Sequence, residues 1–96
     1  MPDTGIKPVV IEEIRELAKK YDVERVILFG SRARGDYKRC SDIDLAVQGG
    51  DTARFALDVD EETGTLLEYD IIDLDGSVQE ELLESIEKEG RLLFEL

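Results

Sequence analysis

At 96 residues the chain has room for a single domain, predicted over residues 1–96, and none for a separate acceptor-binding domain. It carries 24 acidic residues against 12 basic ones, a formal net charge of -12, yet 42% of its residues are apolar, so the acidity does not signal disorder. An acidic surface repels phosphate backbones and excludes stable, sequence-independent nucleic-acid binding, and the lack of any histidine excludes Ser-His-Asp and Cys-His nucleophiles and histidine zinc sites.

Residues 1–7 read as a loose start. Pro8 suits a first helical turn, where a missing N–H costs nothing. Ile11, Ile14, Leu17, Ala18 and Tyr21 recur at spacings of three and four, which predicts a helix over 8–21 with Lys19 and Lys20 at its C-terminal end. VERVILF, residues 23–29, is β-branched and apolar and predicts a buried strand that ends at Gly30. Residues 30–40 read as a loop or short helical turn with a local excess of basic residues. In SDIDLAVQ, residues 41–48, Asp42, Asp44 and Ala46 alternate with Ile43, Leu45 and Val47, which predicts a strand with one buried face. Asp51-Thr52 can cap a helix running to about Glu62 on a face of Ala53, Ala56, Leu57 and Asp60, although Phe55, Leu57 and Val59 also fit a strand. Residues 66–74 predict a third strand. Ser77, with Glu80 three residues on, reads as a capping box that opens a helix, turns Val78, Leu82, Leu83 and Ile86 inward and stops at Gly90. RLLFEL, residues 91–96, predicts a short final strand. The order α-β-β-α-β-α-β places the chain in the α+β (α/β) class.

Charge is divided unevenly along this order. Residues 1–39 hold nine Lys or Arg and seven Asp or Glu; residues 40–96 hold three and seventeen. The later segments present either a plain solvated face or a surface suited to a basic protein partner or metal cations. The single cysteine, Cys40, excludes an intrachain disulfide, favours a reducing compartment and reads as a small, partly buried residue without chemistry. MPDTGIKPVV lacks the cationic-then-apolar pattern of an export signal, and no apolar run approaches the ~18 residues of a membrane span. The expectation is a soluble, cytoplasmic protein with no membrane association.

Three features carry chemistry. Gly30 and Ser31 follow a strand; glycine permits close approach of a ligand, and its N–H and the serine hydroxyl can bind phosphate oxygens. A Gly-Ser turn alone is more often only a turn. Asp42 and Asp44 share one strand face roughly 6–7 Å apart, and like charges so placed repel unless a cation lies between them. Oxygen donors without histidine point to Mg²⁺ or Mn²⁺ over zinc, although Asp-x-Asp fits an exposed edge equally well. Asp70 is a charged residue inside the apolar run Tyr69-Asp70-Ile71-Ile72; Glu68 shares its face, so a solvent-facing role stays open, and Glu68 and Asp73 compete for the part of third carboxylate.

Together, Phe29-Gly30-Ser31, ten residues, then Asp42-Ile43-Asp44-Leu45 resembles the signature of the nucleotidyltransferase superfamily that includes DNA polymerase beta. The fuller run Gly30-Ser31-Arg32-Ala33-Arg34-Gly35-Asp36, followed by Ser41-Asp42-Ile43-Asp44-Leu45, is similar to the branch called minimal nucleotidyltransferases, and the distal strand Tyr69-Asp70-Ile71-Ile72-Asp73-Leu74 matches its third acidic piece. The resemblance covers residues 8–96 and implies a small mixed β-sheet flanked by helices. It implies that Asp42, Asp44 and Asp70 are the catalytic and metal-holding residues for two Mg²⁺ ions, with Mn²⁺ as a substitute. Asp70 would also accept the proton of the attacking hydroxyl, and Gly30, Ser31 and Arg32 would bind the phosphates of ATP, with Arg34 a lesser candidate. Minimal nucleotidyltransferases of this kind are antitoxins of toxin–antitoxin modules whose toxin is a HEPN-domain protein, commonly a ribonuclease. The resemblance therefore implies AMP transfer from ATP to a tyrosine of that toxin, with no direct role for nucleic acid. An antitoxin that acts by binding alone, and a nucleotidyltransferase that modifies a small hydroxylated molecule with a partner subunit, are the alternatives.

Overall fold

The computed structural model describes residues 4–96. Its elements are α1 (Pro8–Lys20), β1 (Arg25–Phe29), α2 (Gly30–Arg34), β2 (Ile43–Gln48), α3 (Thr52–Glu62), β3 (Tyr69–Asp73), α4 (Glu80–Glu89) and β4 (Arg91–Glu95). The strands form a mixed sheet in the order β3-β2-β1-β4. β1 is antiparallel to both β2 and β4, whereas β2 and β3 run parallel. A parallel pair needs a crossover, and α3 supplies it.

The two sheet faces are covered unequally. Val26, Leu28, Ile43, Leu45 and Val47 are buried against Val10, Ile14, Leu17 and Ala18 of α1 and Phe55 and Val59 of α3. On the other face only α4 lies on the sheet: its Ile86 packs with Phe29 and Ala46, joined by Ile27, Ile72, Leu74 and Leu82. β2 is therefore apolar-covered on both faces at Ala46, not on one as expected, because α4 reaches it from the second side.

Other expectations are corrected locally. Thr4 and Ile6 are buried, so the start is packed from Thr4 onward; residues 1–3 lie outside the described residues. In α3 the inner face is Phe55 and Val59, four residues apart, while Leu57 is exposed. Asp51 does cap this helix, its Oδ1 accepting from the Arg54 N–H at 3.2 Å. β3 starts at Tyr69 rather than residue 66, and Leu66 is exposed. α4 starts at Glu80, with Gln79 as an N-cap that makes no side-chain bond; residues 77–79 carry the chain from the turn after β3 instead of joining the helix, so the Ser77 capping box does not form. Gly90 ends α4 in extended backbone rather than a left-handed cap, its N–H bonded to the Ile86 carbonyl at 2.8 Å. A Cβ there would run into that carbonyl and the Ile27 side chain, so close approach is what demands glycine. Cys40 is exposed.

Candidate active site

The sheet brings three segments to one place. Phe29, the last residue of β1, faces Asp44 across the antiparallel ladder, and Asp44 faces Asp70 across the parallel one. Phe29 and Ala46 pack toward α4, as does Ile72, and strand alternation puts Asp44 and Asp70 on that same face beyond the helix. Asp42 lies two residues before Asp44, one residue ahead of β2, and its charge acts on the Asp44 carboxyl. Ile43 is tied to the residue just before β3 by its N–H, which donates to the Glu68 carbonyl at 2.9 Å.

Chain continuity at the end of β1 is equally constrained. Gly30 has φ +73°, and a Cβ on it would collide with Oδ2 of Asp44. Left-handed backbone and close approach to a carboxylate both exclude larger residues here. α2 begins at Gly30, and Ser31 follows, half-buried, with a hydroxyl that makes no hydrogen bond among the described residues.

The electrostatics are those of an uncompensated cluster. Asp42 and Asp70 are exposed and Asp44 is half-buried. None of the three accepts a hydrogen bond or joins an ion pair among the described residues. Burial, then the charges of Asp70 and Asp42, push the Asp44 carboxyl above its ordinary value, against the weaker pull of Arg34 and Arg32. No group of three or more of the described acidic or thiol side chains is placed to hold a metal ion. An open set of carboxylate oxygens fits Mg²⁺, which takes one or two carboxylates and completes its shell with phosphate oxygens and water.

Of the rival carboxylates, Asp73 stands opposite Val47, three rungs from Asp44, and its Oδ1 accepts the Asp75 N–H at 2.9 Å. Glu68 is exposed and precedes β3. Arg32 is not displayed at the site surface: it is 2% exposed, and its donors go to backbone carbonyls of Ser41 and Thr4. Arg34 pairs with Asp36 at 3.2 Å and Glu89 at 3.1 Å. Reading the sequence missed Thr4 and Tyr37 beside Arg32, and it placed Ser41 in the motif without its contact to Arg32, because a backbone carbonyl leaves no mark in the spacing.

A Methanocaldococcus jannaschii protein provisionally named as a protein adenylyltransferase is 33% identical over 95 residues, which cover 86% of this chain and 92% of that protein. A second protein of the same organism and provisional name is 42% identical over 43 residues, 45% of this chain and only half of that protein's length. Among solved structures, a chain of a toxin–antitoxin crystal structure determined with AMP-PNP superposes with a TM-score of 0.70 at 25% identity, covering 90% of this chain and 73% of that one. The fold is thus the nucleotidyltransferase fold found in a toxin–antitoxin complex. Residues 12–96, which take in the Gly30-Ser31 turn and all three aspartates, match the family described as "Polymerase beta, Nucleotidyltransferase": the chain belongs to this nucleotidyltransferase family.

Proposed function

We propose that this chain is a cytoplasmic, Mg²⁺-dependent antitoxin that transfers AMP from ATP to a tyrosine hydroxyl of a HEPN-domain ribonuclease toxin and so neutralises it. The observation that carries the reading is the group of unpaired aspartates: Asp44 and Asp70 in register on neighbouring strands, with Asp42 two residues ahead of Asp44 and, among the described residues, no cation of the protein's own bound to any of them. Such a group is costly by itself and becomes favourable once divalent cations are present. The adenylyltransferase name of the relatives and the AMP-PNP of the toxin–antitoxin structure support the nucleotide and the partner.

On this reading Asp42 and Asp44 hold two Mg²⁺ ions, with Asp70 contributing to the second; Mn²⁺ substitutes. Bound there, such ions neutralise triphosphate charge and polarise the α-phosphate. Gly30 and Ser31 seat the β- and γ-phosphates through backbone N–H groups and the free hydroxyl. The tyrosine oxygen forms the new bond to the α-phosphorus, the bond from that phosphorus to the β-phosphate bridging oxygen breaks, and pyrophosphate leaves. Asp70 takes the tyrosine proton, since the chain has no histidine to do so. The fourteen acidic residues after residue 39 other than Asp42, Asp44 and Asp70 suit a basic surface of the toxin.

Intact-mass measurement tests this. The purified protein is mixed with ATP, Mg²⁺ and the product of the neighbouring gene. The partner should gain one or more AMP units, with no gain in EDTA or with Asp42→Asn or Asp44→Asn. Variants that silence the toxin as well as the wild type would establish neutralisation by binding alone. Pyrophosphate release with a small hydroxylated compound, and none with the partner protein, would replace the protein acceptor with a small-molecule one.

A further inference from the structure

We propose that Arg32 is a positioning residue for the carboxylate site, clamping the Ser41 carbonyl so that Asp42 is presented beside Asp44. The proposal rests on the reading above that these aspartates hold the metal. Among the described residues Arg32 is the largest fully buried side chain, and no carboxylate of theirs pairs with it. Its Nε and Nη2 both donate to the Ser41 carbonyl, at 3.0 and 2.9 Å, and its Nη1 donates to the Thr4 carbonyl at 2.9 Å. The Tyr37 ring covers the guanidinium, 4.8 Å from its centroid. A buried charge without a counterion is unfavourable, and in a 96-residue chain its neutral replacement would be the simpler core. What Arg32 does that an apolar residue cannot is hold one carbonyl with two parallel donors.

That carbonyl belongs to the peptide leading into Asp42. Ser41 is fixed at its other polar groups too: its N–H donates to the Lys38 carbonyl at 3.0 Å, and its hydroxyl accepts the Lys38 N–H at 2.8 Å. On the far side, Ile43 is held by the Glu68 carbonyl. Asp42 therefore sits between two immobilised residues while its own carboxylate is free. This is how a ligand is oriented in advance of its metal. Because Arg32 also grips Thr4, the packing of residues 4–6 is coupled to the same loop.

Mn²⁺ binding, followed by the loss of the free-ion electron paramagnetic resonance signal, tests the clamp without turnover. Wild type, Asp42→Asn, Arg32→Lys, Arg32→Gln and Val59→Ala are compared at a temperature where circular dichroism shows each to be folded. Val59→Ala is a core-destabilised control remote from the loop. Wild type should bind, Asp42→Asn should not, and the Arg32 variants should bind at least about tenfold more weakly while Val59→Ala matches wild type. Folded Arg32 variants binding within about twofold of wild type would overturn the clamp and leave the carboxylate reading intact. Failure of both Arg32 variants to fold would also overturn it, making Arg32 a stability residue. Absent binding by wild type, or full binding by Asp42→Asn, would overturn the carboxylate reading and the clamp together.

Discussion

Asp44 holds a charge that its surroundings resist. Its carboxyl is partly desolvated and faces Asp70 across the ladder, and both effects raise its pKa. A carboxyl raised in the folded state binds its proton more tightly there than in the unfolded chain, so stability falls as pH climbs from the ordinary carboxylate value through the folded one. The penalty is complete above that window and absent below it. In metal-free protein, Asp44→Asn should therefore raise the Tm at pH 7, with like-charge relief on the scale of ~0.2–1 kcal/mol. The advantage should shrink as pH falls toward 4. Differential scanning calorimetry in EDTA at several pH values measures it; a variant less stable than wild type at pH 7 would show that Asp44 is compensated after all. Millimolar Mg²⁺ should stabilise wild type and not Asp44→Asn. Asp44 was legible in the sequence because the two-residue period of β2 fixes its side, whereas Asp42, one residue ahead of the strand, was legible only from the Asp-x-Asp spacing. Asp70 was less so, since placing it in register with Asp44 depends on a crossover connection. Arg32 was legible as a cation but not as a buried one, because its partners are carbonyls, which every residue carries.

At the scale of elements, α4 starts without a side-chain cap. Gln79 occupies its N-cap with extended backbone, φ -63° and ψ 140°, and offers no side-chain bond to the first turn, whereas Asp51 does so for α3. Gln79→Ser supplies a short hydroxyl in the backbone geometry that capping uses. It should stabilise the protein by about 0.5–1 kcal/mol, which for a chain of this size is a Tm rise of a few degrees; urea unfolding with an unchanged slope provides the check, and an unchanged midpoint would show that residues 77–79 are not free to accept the cap. This helix also marks where sequence reading fell short. Ser77 and Glu80 have the spacing of a capping box, but the box presumes that the chain is free to turn at Ser77. Here the preceding strand ends in a tight turn, Gly76 N–H to Asp73 carbonyl at 3.1 Å, and the next residues are used in reaching the sheet. The face of α3 was misread for a similar reason. Both Phe55–Val59 and Ala53–Ala56–Leu57 have helical spacing, and only the position of α1 decides which is inward. α1 and β1 match the expectation because one has a single apolar stripe and the other is a continuous apolar run, while the alternation of β2 marks its strand but not the second apolar cover that α4 brings to Ala46.

Over the whole molecule the surplus of acid sets the electrostatics. Among the described residues the ion pairs are exposed or partly so, and only Arg54–Asp51 joins two residues beyond residue 39. Pairs of that kind contribute little each, so most of the charge of -12 is met by water and counterions. The principal extents are 32 × 30 × 21 Å. At 0.01 M ionic strength the screening length is about 30 Å, so acids at opposite ends of the molecule still repel; near 1 M it is about 3 Å and only neighbours do. Self-repulsion favours the expanded chain. The metal-free Tm at pH 7 should therefore climb as KCl is raised from 0.01 to 1 M, and the climb should persist in Asp44→Asn, since it belongs to the whole surface. The Mg²⁺ response belongs to three aspartates and should vanish in that variant. A Tm that stays flat or falls with KCl would mean that the surplus charge does not strain the fold. A KCl response lost together with the Mg²⁺ response would instead place the repulsion in the Asp42, Asp44 and Asp70 cluster alone. Separating the two ions in this way divides charge kept for a site from charge spread over a surface, a division that net charge by itself cannot make.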